Sequence, residues 1–240
     1  SYRLVGSEMC IRDSVQTMLS FQDGVDRTAI VTESGKQLML VNGFSRVFEL
    51  IFFGALTLAA FASMNRLEVK GVGPKLSTDD LYNNRRQADF YILMLTCGLG
   101  MSVVALAQDL FVLFIGLELA SFSTYVLVAF YKETKVGTEA GMKYFIVGSV
   151  ASGVGLYGLS MLYLWAGSLQ FDALAAQFVV DGTEPLPLIA MGFVLVGFGF
   201  KVSAAPFHFA APDAYAGASS PVAGILATAS KAMGIIGLLR

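Results

Sequence analysis

The chain has 240 residues, 55% hydrophobic and 14% charged, with a formal net charge of −2 and a mean hydropathy of +0.67. Soluble domains carry about 25% charged residues, so this is membrane composition and excludes a soluble enzyme. The charge balance also argues against a nucleic-acid partner or a polybasic lipid anchor.

Residues 1–43 carry nine charges and no apolar run of span length. They form a non-membrane N-terminal segment without the basic–apolar–small order of a signal peptide. Its first part, SYRLVGSEMCIRDS at 1–14, reads as translated sequencing-adapter read-through and is set aside from the fold. TAIVTESGKQLMLVN, 28–42, reads as two short alternating strands around a Glu-Ser-Gly turn, a small extramembrane hairpin. Residues 44–240 then form the membrane domain. The first span is 44–64, long enough to cross about 30 Å of hydrocarbon, with Glu49 near its start at an interface position. A polar loop over 65–88 holds five basic and three acidic residues. The second span is 89–107, and Gln108-Asp109 turn into the third, 110–130. A short loop over 131–138 carries Lys132 and Lys135, and the fourth span is 139–164. The loop 165–185 holds Asp172, Asp181 and Glu184 but neither Lys nor Arg. The fifth span begins at Leu186 and the sixth is 221–239. Loop charge places 65–88 and 131–138 in the cytoplasm and 165–185 outside, which agrees with strict alternation of the spans.

The fifth span is irregular. FGFKVSAAPFHFAAPDAYAGASSP contains Pro206, Pro212 and Pro221, and each internal proline removes a backbone donor and clashes with the preceding turn. The pattern predicts one helix over 186–202, a short break, and a second over 206–216. Broken helices survive at membrane depth only where protein or a water-filled cavity meets the freed backbone groups. The break falls beside Lys201, which marks this as the working region. In the fourth span, small residues four apart, Ser149 with Gly153 and Ala151 with Gly155, allow close helix approach. With Gly148 and Ser152 they read as packing positions.

Three charged residues lie deep inside apolar spans: Glu118, Lys201 and Lys231. A charge at the bilayer centre costs about 2.5–3.5 kcal/mol on insertion scales, and such residues usually mark an ion or proton path. Each also has a plainer explanation. Glu118 could be a structural acid bonded to a neighbouring helix, Lys201 could snorkel to the interface, and Lys231 could bond across helices. His208, the single histidine, follows the break and gains a relay role only through its lysine neighbours. Lys143, near a span end, reads as snorkelling, and Asp213 as stabilising the turn after the break. Cys10 and Cys97 give no disulfide framework or metal-ligand spacing. Gly98-Leu99-Gly100, Gly197-Phe198-Gly199 and Gly71-Val72-Gly73-Pro74-Lys75 match no dinucleotide or phosphate-loop fingerprint. No cofactor is expected in this chain.

Three segments carry a family resemblance: GLELASFSTYVLVAF, EAGMKYFIVGSVASG and FGFKVSAAPFHFAAPDAYAGASSPVAGILATASKAMGIIGLL. Over about 44–240 the chain resembles the antiporter-like membrane subunits of respiratory complex I. ATASK, with Lys231 where the L- and M-type subunits have histidine, sets it nearest the N type of bacterial NADH-quinone oxidoreductase. The resemblance implies an all-α polytopic membrane protein. About six transmembrane helices, one of them broken, would form roughly the first of two inverted repeats, so the chain reads as a piece truncated at both ends. It implies that Glu118 pairs with Lys201 and that His208 and Lys231 continue a proton relay. It implies that NADH and quinone are used by the whole complex and not by this chain. The partners would be other membrane subunits of complex I and the lipid bilayer, in the bacterial inner membrane. A sodium/proton antiporter subunit on the same scaffold, or a structural subunit without transport, remain the alternatives.

Overall fold

The computed structural model describes residues 27–31, 37–64, 78–131 and 134–240, with the backbone alone for 27–31 and 78–85. Two strands, β1 (Arg27–Val31) and β2 (Gln37–Val41), pair antiparallel from Arg27↔Val41 to Val31↔Gln37. This is the expected hairpin; its Glu-Ser-Gly turn lies outside the described residues. The hairpin covers the turn between spans two and three: the Gln108 N–H donates to the Leu38 carbonyl at 2.8 Å, and Met39 bridges Ala107.

Among the described residues, six helical segments are long and apolar enough to cross a membrane. The first is α1 (Gly43–Ser63). The Asn42 side chain accepts from the Ser45 N–H and the Ser45 hydroxyl accepts from the Asn42 N–H, a capping box that starts the helix at the end of the hairpin. The second span, 86–106, belongs to α2 (Thr78–Leu106). The segment expected as a loop over 65–88 is therefore already helical from Thr78. Its polar composition hid the first turns of this helix. The third span is α3 (Leu110–Val128), capped by Asp109, whose carboxylate accepts from the Phe111 and Val112 N–H groups. The fourth is α4 (Lys135–Ala166), closed by Gly167 in the left-handed region at φ 68°, where glycine alone is unstrained.

The loop expected over 165–185 contains a further helix, α5 (Phe171–Asp181). At 1.5 Å per residue it is about 16 Å long, half of what a span needs, so a search for crossings passes over it. It buries Leu174 and packs Phe178 against Trp165 with the rings tilted, while Val179 and Val180 stay exposed. The fifth span is broken as expected: α6 (Pro185–Val202), a break, a 3-10 turn at Phe207–Phe209, and α7 (Ala210–Gly217). The sixth, expected as one run over 221–239, is itself interrupted. α8 (Ser220–Ala227) and α9 (Ala229–Leu239) meet at Thr228, at φ −110° and ψ −79°. The Thr228 hydroxyl donates to the Gly224 carbonyl at 2.8 Å, a local bond that bends helices.

Contacts at the two ends establish the alternation of the spans. At one end Leu110 N–H bonds the Leu169 carbonyl, and the Arg240 guanidinium donates to the Ala105 carbonyl and lies over the Phe44 and Phe171 rings. At the other end Arg86 donates to the Phe130 carbonyl and Lys143 pairs with Asp213. Successive spans therefore run antiparallel. Glycines set the closest approaches. A Cβ at Gly100 would come within 2.5 Å of the Ala120 nitrogen, which presses α2 onto α3. A Cβ at Gly155 would lie 3.5 Å from the Gly197 Cα, and Ala151 is buried in the same α4–α6 seam. Gly153 meets nothing within 4 Å, so of the two small-residue pairs in α4 the Ala151–Gly155 pair makes the seam. Large apolar side chains such as Leu58 and Leu164 cover the outer faces, as hydrocarbon contact requires.

Candidate functional site

On α3, Glu118, Ser121 and Tyr125 stand at i, i+3 and i+7, the spacing that puts side chains on one helix face. Facing them, α4 presents Gly148, Ser152 and Gly155, and α6 presents Gly197 and Lys201. Lys201 sits in the last turn of α6 and is 4% exposed. A cation there is favoured by the helix dipole but needs a partner so far from water. Its ammonium donates to the Ser121 hydroxyl, which in turn donates to the Leu117 carbonyl. It also lies 5.5 Å from the Tyr125 ring centre and 5.4 Å from that of Phe200.

Glu118 is half-buried and accepts from the Ser152 hydroxyl at 2.6 Å. Glu118 and Lys201 line one narrow cavity of about 20 Å³ with Leu117, Ser152, Gly155 and Phe198. The direct ion pair implied by the resemblance is not formed within 4.0 Å. Each group has taken a serine from its surroundings instead, Ser121 for the ammonium and Ser152 for the carboxylate, and the cavity lies between.

The break after α6 is built by Ser203 in the left-handed region, at φ 56° and ψ 43°, followed by Pro206. A left-handed residue other than glycine costs about 1–2 kcal/mol. The Ala204 N–H folds back to the Gly199 carbonyl at 2.8 Å, and the Lys201 carbonyl is left for another donor. Lys231 of α9 supplies it: its ammonium lies 3.3 Å from the Lys201 carbonyl oxygen and donates to the Ser203 hydroxyl. It also stands 5.9 Å from the Tyr215 ring centre. Contact with α6 is close because Gly234, one turn beyond Lys231, has no side chain; a Cβ there would lie 2.9 Å from the Lys201 Cβ.

Three of the four candidate residues are thus brought together, and His208 is not. It lies on the 3-10 turn with its side chain exposed, while Lys231 reaches Lys201 through the carbonyl at the break without it. Lys143, expected to snorkel, has its head group exposed near the end of the span. It pairs with Glu139 at 2.7 Å and Asp213 at 3.0 Å, and so ties α4 to α7. Asp213 stands in the first turn of α7, where an acid suits the helix N-terminus. Sequence reasoning missed Ser121, Ser152, Tyr125 and Ser203. The heptad spacing of Glu118, Ser121 and Tyr125 was the available signal for two of them; Ser152 was absorbed into the small-residue packing pattern.

Residues 107–240, more than half of the chain, match the family described as NADH:quinone oxidoreductase/Mrp antiporter, TM. The NADH-quinone oxidoreductase subunit N of Parvibaculum lavamentivorans is 35% identical over 203 residues, 85% of this chain and 39% of that protein. The subunit N of Rhodospirillum rubrum is 44% identical over 149 residues, 62% of this chain and 31% of that protein. The chain spans less than half the length of these curated relatives. A chain of respiratory complex I from Thermus thermophilus with bound aureothin superposes with a TM-score of 0.77 at 28% identity, covering 100% of this chain and 47% of that one. With six apolar helices, a broken fifth span and a match across the segment that holds every candidate residue, the chain belongs to the NADH:quinone oxidoreductase/Mrp antiporter transmembrane family.

Proposed function

We propose that the chain is a proton-translocating part of an N-type membrane subunit of NADH-quinone oxidoreductase in the bacterial inner membrane. Electron transfer from NADH and reduction of quinone would take place in other subunits, which would also cover part of its apolar outer face. The observation that carries the proposal is the burial of Lys201 at the helix break, in one cavity with Glu118 and with Lys231 on its own carbonyl. A buried cation of this kind is a poised proton store. When redox chemistry elsewhere moves the Glu118 carboxylate relative to Lys201, the ammonium loses compensation. A buried ammonium that loses the field of a nearby carboxylate holds its proton less tightly, which would favour release from the lysine. Lys231, sharing the break through the Lys201 carbonyl and Ser203, would be the next group in the relay. His208 would take part only if the 3-10 turn brought it inward.

Subunit N is the name carried by the curated relatives, which favours this reading over a sodium/proton antiporter subunit of the same family. The test is made in the complete host complex. Glu118→Gln and Lys201→Met are introduced separately, assembly is confirmed, and proton uptake by membrane vesicles is followed during NADH-driven quinone reduction. Loss of uptake in both assembled variants is the expected result. Normal uptake would leave a structural subunit with buried polar packing.

A further inference from the structure

Tyr125 is 4% exposed, and its hydroxyl is buried without a hydrogen-bond partner. A buried phenol almost always finds a partner, and a phenylalanine would fill the same space without a stranded polar atom. The hydroxyl is lodged against the backbone of Gly148, where a Cβ would come within 2.1 Å of it. It lies close enough to the hydroxyls of Ser121 and Ser152 to interact with both, but in no geometry that completes a hydrogen bond to either. Ser121 lies one turn before Tyr125 on α3 and accepts from Lys201; Ser152 lies one turn after Gly148 on α4 and donates to Glu118. The unpartnered hydroxyl therefore sits between the group that holds the ammonium and the group that holds the carboxylate.

We propose that the Tyr125 hydroxyl passes protons between the Lys201–Ser121 and Glu118–Ser152 pairs. This inference rests on the proton-translocation reading above and supplies the link that the missing Glu118–Lys201 contact leaves open. In one passage an N–H bond of the Lys201 ammonium breaks and its proton moves to Ser121. Ser121 releases its own proton to Tyr125, Tyr125 to Ser152, and Ser152 to Glu118, where a new O–H bond forms. Every hydroxyl gains one proton and loses one, so the three end neutral. Lys201 is left as an amine and Glu118 as a carboxylic acid, and the reverse passage restores both. Rotation about the hydroxyl C–O bonds is the main motion required, and the glycine at 148 leaves the phenol the space to stand there.

The test is Tyr125→Phe in the complete host complex, with Glu118→Gln and Lys201→Met in parallel. Proton uptake per NADH oxidised and thermal stability are both measured. Expected is an assembled complex at least as stable as the parent, because an unpartnered hydroxyl has been removed, that has lost most of its proton uptake. A packing role predicts instead that stability falls and uptake holds. Normal uptake in Tyr125→Phe, with uptake lost in the other two variants, overturns the tyrosine link alone. Normal uptake in all three overturns the translocation reading as well. If Tyr125→Phe does not assemble, Ser152→Ala breaks the same path, and normal uptake there overturns the proposal.

Discussion

Lys231 reaches Lys201 through the backbone: its ammonium lies 3.3 Å from the Lys201 carbonyl oxygen and donates to the hydroxyl of Ser203, two residues further on. In an unbroken helix that carbonyl would be occupied by the N–H four residues ahead. Here Ser203 turns left-handed, the Ala204 N–H folds back to Gly199, and the freed carbonyl becomes the seat of a second, half-buried cation. The helix break is therefore the element that joins the two lysines through the backbone.

Ser203 carries two opposed effects that substitution separates. Glycine relieves the left-handed backbone and removes the hydroxyl that Lys231 donates to; alanine removes the hydroxyl and keeps the strain. Ser203→Gly should be more stable than Ser203→Ala by about 1 kcal/mol, while both lose proton uptake to a similar degree. Thermal unfolding of the assembled complex together with vesicle uptake checks both parts. Full uptake in either variant would detach Ser203 from the relay.

Gly234 controls how near α9 comes to Lys201. A Cβ there would meet Val202 Cγ1 at 2.7 Å and the Lys201 Cβ at 2.9 Å, and overpacking of this kind costs about 1–3 kcal/mol. Gly234→Val should lower the melting temperature and reduce uptake by shifting Lys231 from its carbonyl. Gly224, in the same span, meets nothing within 4 Å, so Gly224→Ala should raise helix stability by up to about 1 kcal/mol and leave uptake unchanged. Equal effects at the two glycines would contradict the packing assignment.

The Lys143–Asp213 pair joins α4 to α7 at an exposed position. Exposed ion pairs are screened and weak, and this one stands outside the buried set. Lys143→Gln is expected to assemble and pump normally at low and at high salt, a comparison that vesicle uptake at two ionic strengths settles.

Much of this architecture is legible in the residues themselves. Apolar runs of span length, the polar turns between them and the prolines after Lys201 give the spans and the break, because in lipid an unsatisfied backbone group is expensive enough to leave a mark on the sequence. Elements outside the hydrocarbon carry no such mark. The start of α2 at Thr78 is hidden in a polar segment, and α5 is too short to be scored as a crossing. The interruption at Thr228 depends on a side-chain bond to the helix's own Gly224 carbonyl, which leaves the apolar pattern intact. At the site the charges are conspicuous because they are rare in spans, but serine and tyrosine are ordinary there. Ser152 and Tyr125 acquire meaning only when α3 and α4 are laid side by side, and the resemblance pointed to a direct Glu118–Lys201 pair where serines intervene.

The most direct test of a buried charged relay compares initial proton uptake in four vesicle preparations: the parent complex, Glu118→Gln, Lys201→Met and the double variant. If Glu118 and Lys201 act as one unit, each single variant loses uptake and the double variant is no worse than either, since effects within one unit are not additive. Normal uptake in an assembled Lys201→Met complex would contradict the account at its centre.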